Sequence, residues 1–81
     1  MDQAPRRDLE EVMDFDPEDG IVDLESHLDR LKSQADSLGY DFDRHAARNE
    51  LQAATFGKRK PSKARLLLSP SGAIAIELKS A

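Results

Sequence analysis

A run of basic residues in the second half of the chain has the chemistry to bind phosphate. Five of the twelve lysines and arginines fall within the eight positions 58–65. Each base that neutralises a phosphate releases a counterion, so such a run favours nucleic-acid binding that weakens as salt rises. The formal net charge of −4 favours instead a solvated loop. The candidate nucleic-acid contacts are Arg44, Arg48, Lys58, Arg59, Lys60, Lys63 and Arg65.

Residues that could carry catalysis or bind a transition metal are scarce. His27 and His45 are the only two histidines, and there is no cysteine. The spacing of the histidines matches no zinc pattern, and the chain has no nucleophile motif and no glycine pattern that cradles phosphate. Paired carboxylates need the opposing walls of a cleft, which a chain of 81 residues can hardly build. The sequence therefore predicts a protein that is not an enzyme, with no cofactor, catalytic residue or metal ligand.

An acidic segment, residues 14–25, raises calcium binding as an alternative. It resembles an EF-hand loop, because acids stand at its first, third and fifth positions and Glu25 is the twelfth. The sixth position departs from that pattern, since Asp19 stands where the loop needs glycine and Gly20 comes one residue late. We expect an acidic turn that leads into a helix.

The elements that must position these residues begin with a heptad repeat of apolar side chains. Side chains three and four residues apart lie on one side of a helix, so the repeat predicts an amphipathic helix over residues 22–38 that Gly39 ends. The apolar side of this helix could pack on the domain's own core, on a protein partner or on a second copy of the chain. The repeat consists of Ile21, Leu24, Leu28, Leu31, Ala35 and Leu38. The candidate protein-interface residues are Leu24, Leu28, Leu31 and Leu38.

A second helix and a β-hairpin are predicted further along the chain. Residues 44–56 are rich in alanine and follow Asp43, a good N-cap. After the basic loop the apolar period becomes two, so residues 64–79 are predicted to form a hairpin with its turn at residues 69–72. Residues 1–20 are acidic and carry few apolar side chains, which is typical of a flexible arm.

These elements predict an α+β fold in which two helices pack on a C-terminal β-hairpin. The predicted organisation is a disordered acidic arm over residues 1–20 and a small α+β domain over residues 21–81. The expected core is Ile21, Leu24, Leu28, Leu31, Leu38, Phe42, Ala47, Leu51, Phe56, Leu66, Leu68, Ile74, Ile76 and Leu78.

Two short motifs resemble winged-helix proteins. Ala35 and Gly39 keep the Ala-x-x-x-Gly spacing of a helix-turn-helix, and residues 66–72 are similar to the wing of bacterial MarR-type repressors. The resemblance implies DNA binding through the basic loop 58–65, with residues 73–80 helical. His45 and Arg48 depart from it, because they stand where the second helix should be apolar.

Two functions are therefore expected. The first is a small, non-enzymatic, cytosolic interaction or regulatory protein (an accessory protein, inhibitor or adaptor) that contacts a protein partner or forms a homodimer through helix 22–38. The alternative is a nucleic-acid-binding transcriptional regulator of winged-helix-like type that uses the basic loop. The apolar runs are too short to span a membrane and the first residues do not form a secretory signal, so the cytoplasm is the expected location.

Overall fold

The domain is an antiparallel sheet of four strands with two helices against one of its faces. The structure, a computed structural model, describes residues 7–80. The strand order across the sheet is β2-β1-β3-β4. The elements are β1 (Leu9–Asp16), β2 (Gly20–Ile21), α1 (Leu24–Leu38), α2 (Arg44–Thr55), β3 (Ser62–Leu68) and β4 (Ile74–Ser80). The predicted α+β class is confirmed, and both helices and the hairpin lie where the sequence placed them.

Strand β1 occupies most of the segment that was expected to be a flexible arm. Its side chains alternate, with Leu9, Glu11, Met13 and Phe15 towards the helices and the residues between them largely exposed. It pairs with β3 through seven residue pairs and is one of the two central strands. The prediction of a disordered arm is therefore wrong for residues 9–20, and residues 1–6 lie outside the described residues. The outer face of β1 carries three acids and Val12, and this acidic composition led to the prediction of a solvated tail.

The structure gives other roles to the segment that resembles a calcium-binding loop. Residues 14–25 form the end of β1, a turn, β2 and the start of α1, and the backbone N–H of Glu18 donates to the Asp16 carboxylate across the turn at 3.0 Å. The two ends of the proposed loop have other partners, because Asp14 contacts Lys63 and Glu25 contacts two arginines of α2. Among residues 7–80, no three His, Asp or Glu side chains come together in a group that could hold a metal.

Both helices begin or end at the residues that the sequence indicated. Gly39 adopts a φ of 75° after α1, and the next residue, Tyr40, donates its backbone N–H to the Ala35 carbonyl at 2.9 Å. The Asp43 carboxylate accepts a hydrogen bond from the backbone N–H of Ala46 at 3.1 Å, which caps the start of α2. Helix α1 lies over β1 and α2 lies over β4.

The core lies between the helices and the sheet. Leu28, Leu31, Leu51, Leu66 and Leu68 are fully buried there, as the apolar pattern predicted. The core also contains residues that were not in the predicted set, namely Met13, Ala35, Tyr40 and Ala64.

Two residues of the predicted core are instead at the surface. Leu38 is 51% exposed, because a repeat of seven drifts about 20° per heptad around a straight helix and carries the last position off the buried side. Phe56 is 88% exposed, because the chain leaves the helical conformation at this residue and turns away from α2.

The second face of the sheet is open and charged. Asp14 on β1 pairs with Lys63 on β3, and Arg65 on β3 bridges Glu10 on β1 and Glu77 on β4. Such cross-strand pairs of opposite charge suit a sheet face that water covers. Residues 74–80 form β4 rather than a helix, so that implication of the winged-helix resemblance is wrong. Neither helix within residues 7–80 is long and apolar enough to cross a membrane.

Candidate functional site

One carboxylate faces the apolar core, and it is the starting point of the candidate site. Glu11 lies on the helix-facing side of β1 and is only 8% exposed. A carboxylate at such a position is costly to bury unless it is paired and hydrogen-bonded. Its two partners therefore have to offset the cost of burying the charge, and both come from α1.

Glu11, His27 and Arg30 form a compact cluster between β1 and α1. The His27 Nδ1 atom lies 2.7 Å from Glu11 Oε1. Arg30 Nε donates to both carboxylate oxygens, at 3.3 and 3.2 Å. His27 and Arg30 are three residues apart on α1, so one helix face presents both of them to β1. These contacts tie the helix to the central strand.

The geometry fixes the proton on His27 and leaves donors free on Arg30. An ionised carboxylate can only accept, so Nδ1 of His27 must carry a proton and donate it to Glu11. The contact of 3.2 Å between Arg30 Nη2 and the same Nδ1 is then not a hydrogen bond, because both atoms are donors. The guanidinium is held through its Nε side, and its Nη1 group makes no hydrogen bond within the described residues.

This arrangement can bind an oxyanion. Arg30 is 55% exposed at its side chain, so part of the side chain reaches solvent while Glu11 restrains its orientation. A guanidinium recognises a carboxylate or a phosphate through two parallel hydrogen bonds, and restraining it beforehand reduces the entropy lost on binding. The cluster therefore holds a partly exposed arginine in one orientation beside a buried counter-charge.

A second group of ion pairs joins the two helices and uses two of the predicted nucleic-acid contacts. Arg44 contacts Glu25 at 2.8 Å and Asp29 at 2.7 Å, and Arg48 contacts Glu25 at 2.9 Å. Hydrogen bonds from Arg44 and then Arg48 lower the pKa of Glu25 below its usual value. Hydrogen bonds to Glu25 and Asp29 raise the pKa of Arg44. Arg44 and Arg48 thus act as helix-to-helix bridges.

The structure divides the remaining basic candidates between two places. Lys63 and Arg65 lie on the open face of the sheet and are paired with acids, and the hydrogen bond to Glu10 is the main reason why the pKa of Arg65 is raised. Lys58, Arg59 and Lys60 lie in the exposed loop after α2. The predicted set is therefore not one continuous surface.

The four leucines predicted to contact a partner also have different environments. Leu28 and Leu31 are fully buried in the chain's own core, and Leu24 packs against that core while partly exposed. Leu38 lies at the surface beside Leu9, where the two side chains line a shallow groove. Contact of a partner with helix 22–38 stays a prediction, and it concerns Leu38 and Leu24.

Sequence reasoning missed Glu11, His27 and Arg30 as a group. The available signal was the alternation Leu9, Glu11, Met13, Phe15, in which one acid stands at an inward position of an apolar series. The partners could not be assigned from spacing alone, because His27 lies 16 residues and Arg30 lies 19 residues from Glu11 along the chain.

The fold is an α+β domain with both helices on one face of the sheet, and its candidate site holds a partly exposed arginine. Comparison with known proteins finds a likeness to a structure named as an enzyme. The chain is similar to a crystal structure from Mesorhizobium loti named as a "putative amino-acid aminotransferase", with a TM-score of 0.84 and 27% sequence identity. The match covers 90% of this chain and 35% of that one, so this chain spans about a third of that protein. No family profile matches this chain, and no curated protein matches it.

This likeness contradicts the function expected from the sequence. We predicted a non-enzymatic interaction or regulatory protein, with a winged-helix-like nucleic-acid-binding regulator as the alternative. The similar structure points instead to an enzyme-related fold. Sequence reasoning missed this likeness because the chain contains no complete catalytic motif. The expectation that the chain is not itself an enzyme stays a prediction.

Proposed function

We propose that this chain is an aminotransferase-type domain that contributes a binding arginine to a larger enzyme. The observation that carries the proposal is the backbone likeness to the Mesorhizobium loti protein, which is accompanied by 27% identity over 90% of the chain. The remaining part of such an enzyme is the partner that the domain would need. The cytoplasm remains its proposed location, which cell fractionation would test.

The Glu11–His27–Arg30 cluster supports this proposal chemically. An amino-acid substrate carries a carboxylate, and a guanidinium with free Nη protons binds that group bidentately. Arg30 offers such protons because Glu11 engages its Nε atom. In the proposed role, Arg30 binds and orients an anionic group, Glu11 holds Arg30, and His27 holds Glu11.

The cofactor of amino-group transfer fits these residues only in part. Pyridoxal phosphate supplies that chemistry and is attached to a lysine as a Schiff base. Its phosphate is an oxyanion that suits Arg30. All five lysines of the chain are exposed, and none contacts the cluster in the part of the structure described. No lysine of the described residues therefore lies against the cluster, and no catalytic step is assigned to it.

A titration of the whole chain tests the arginine's role. L-glutamate and pyridoxamine 5′-phosphate would be added separately while the Arg30 side-chain N–H signal is followed by NMR; the second probe has no aldehyde that could react with surface lysines. We expect the Arg30 signal to move with at least one probe and the binding to be lost in Arg30→Gln. Arg48→Gln is the matched control, because Arg48 is also a partly exposed helix arginine paired with a glutamate. Unchanged Arg30 signals with both probes would contradict the binding role.

A chimera tests the enzymatic context. Residues 7–80 would replace the matched third of the Mesorhizobium loti protein, once that protein's amino-transfer activity is measured. We expect the chimera to retain activity and Arg30→Gln to reduce it. A folded chimera without activity, beside an active parent, would refute the aminotransferase assignment.

A further inference from the structure

A shallow depression between the loop after α2 and the end of β4 gathers basic side chains. Its walls include Lys58, Arg59 and Lys60 from the loop and Lys79 from β4, with the hydroxyl-bearing residues Ser62 and Ser80 beside them. Its volume of about 420 Å³ lies within the range of about 300–1,000 Å³ typical of sites for small molecules. Its size and charge therefore suit a small anionic ligand.

The cations in this depression differ from those elsewhere in the domain. Among the described residues, all the remaining lysines and arginines except Arg7 have a carboxylate within ion-pair distance, whereas the four in the depression have none. The chain contains 16 acids against 12 bases, so acidic partners are not scarce. Apart from Arg7, the described cations without an internal partner thus lie together in this depression.

Grouping four like charges raises the free energy of the folded chain unless a counter-charge is present. Water and dispersed salt screen the charges only in part, while a bound anion would neutralise several of them together. Lysine binds phosphate as a point charge through three rotatable donors. A shallow open site lined by lysines is therefore expected to prefer a phosphate to a planar carboxylate as its ligand. The hydroxyl of Ser62 already bonds to the Lys60 carbonyl at 3.2 Å, which ties the loop to the start of β3.

We infer that this depression binds a small molecule that carries two or more phosphate groups. The site is separate from the Glu11 cluster, because Ser62 is four residues along β3 from Leu66, which faces Glu11. Four residues span about 13 Å of strand. The inference does not depend on the proposed aminotransferase role, and either can fail alone.

The test is an NMR titration of the whole chain with pyrophosphate, inorganic phosphate and citrate, each at constant ionic strength in sodium chloride. We expect saturable changes at residues 58–60, 62 and 79–80, with pyrophosphate binding more tightly than phosphate or citrate. Lys58→Gln/Lys60→Gln should weaken pyrophosphate binding by about 10- to 100-fold, since each of the two lost charge-assisted bonds is worth up to roughly a factor of ten. Lys63→Gln is the matched control, because that lysine is near in sequence but paired with Asp14. The affinity of this variant for pyrophosphate should equal that of the parent chain.

Thermal melts sharpen the same test. Pyrophosphate should raise the Tm of the parent chain, and it should raise that of the double variant much less. The double variant should melt no earlier than the parent in the absence of pyrophosphate, because it relieves repulsion. Lys79→Gln, on the opposite wall, should weaken binding as well.

Three results would overturn the inference. The first is identical shifts with chloride alone at matched ionic strength, and the second is citrate binding as tightly as pyrophosphate. The third is a single-stranded oligonucleotide that binds these residues far more tightly than pyrophosphate does, since the ligand would then be a polymer rather than a small molecule.

Discussion

Two carboxylates of this domain each hold two basic side chains, yet they lie in opposite environments. Glu11 is buried between β1 and α1 and contacts His27 and Arg30. Glu25 is exposed on α1 and contacts Arg44 and Arg48 of α2. A buried charge that loses its partners has no water to replace them, whereas an exposed charge is solvated again at once. The contacts of Glu11 should therefore be essential to the stability of the fold, and those of Glu25 should contribute little to it.

The two clusters also differ in what they do for their arginines: Glu11 restrains the orientation of Arg30, whereas Glu25 and Asp29 use Arg44 to join the two helices. The Glu11 cluster restrains a partly exposed guanidinium from one side, which leaves its other donors free for a ligand. In the second cluster, Arg44 spreads its donors over Glu25 and Asp29, so fewer remain for an outside group. A guanidinium available to a ligand is thus found where its counter-charge is buried beneath it.

The largest expected effect comes from stranding the Glu11 charge. His27→Ala/Arg30→Ala removes both partners, and we expect a loss of about 3 kcal/mol in the free energy of unfolding, because an unpaired buried charge is costly. Adding Glu11→Leu should restore most of the loss, since an apolar side chain suits that position. Urea denaturation followed by circular dichroism measures all three chains. A double variant as stable as the parent would mean that water reaches Glu11 and that the comparison is wrong.

A smaller effect is expected when only the charge of Glu11 is removed. Glu11→Gln keeps the size of the side chain but weakens its bonds to His27 and Arg30, so we expect a loss of about 1–2 kcal/mol in the free energy of unfolding. The loss should change little with salt, because the group is shielded from ions. Glu10→Gln, the neighbour on the open face of the sheet, is the control and should show no measurable change. Equal effects at both positions would remove the distinction between the two faces of β1.

The parts of this fold that could be predicted are those with local signals. The apolar repeat of α1, Gly39 after it and the Asp43 cap each report on a helix within a few residues of sequence. The hairpin was predictable for the same reason, because its strands are neighbours along the chain. Leu38 and Phe56 were misplaced because helix periodicity says which residues share a side but not where the packed surface ends.

Strand β1 and the candidate site depend on long-range contacts that local patterns do not show. The strand is stable because Leu9 to Phe15 pairs with β3 some fifty residues later, and an acidic outer face hid its alternation. Glu11 could have been noticed as an acid in an inward position. Its pairing with Arg30 on α1 follows only from the packing of that helix over β1.

A still smaller effect is expected from the exposed cluster. Arg44→Gln/Arg48→Gln removes both partners of Glu25, and the loss of stability should be far below that of the stranded Glu11, because water solvates the freed carboxylate. The difference from the parent should be measurable at low salt and should disappear at about 1 M sodium chloride, where the screening length is about 3 Å. Urea denaturation at both salt concentrations provides the measurement. A loss that persists in high salt would show that the bridge acts through packing between the helices.

The smallest expected effect is on the titration of Glu25 itself. Hydrogen bonds from Arg44 and Arg48 hold the pKa of Glu25 below 4.5, so its charged form is favoured in the folded chain. The contribution of this carboxylate to stability is therefore present above pH 4.5 and is lost as the pH falls through the lowered value.

The carboxyl carbon of Glu25, followed by NMR, should titrate below pH 4.5 in the parent chain and nearer to it in Arg44→Gln/Arg48→Gln. Lys32→Gln, which breaks only the separate pair with Asp36, should leave the midpoint unmoved. A midpoint that the parent chain and the double variant share would mean that the bridge does not persist in solution.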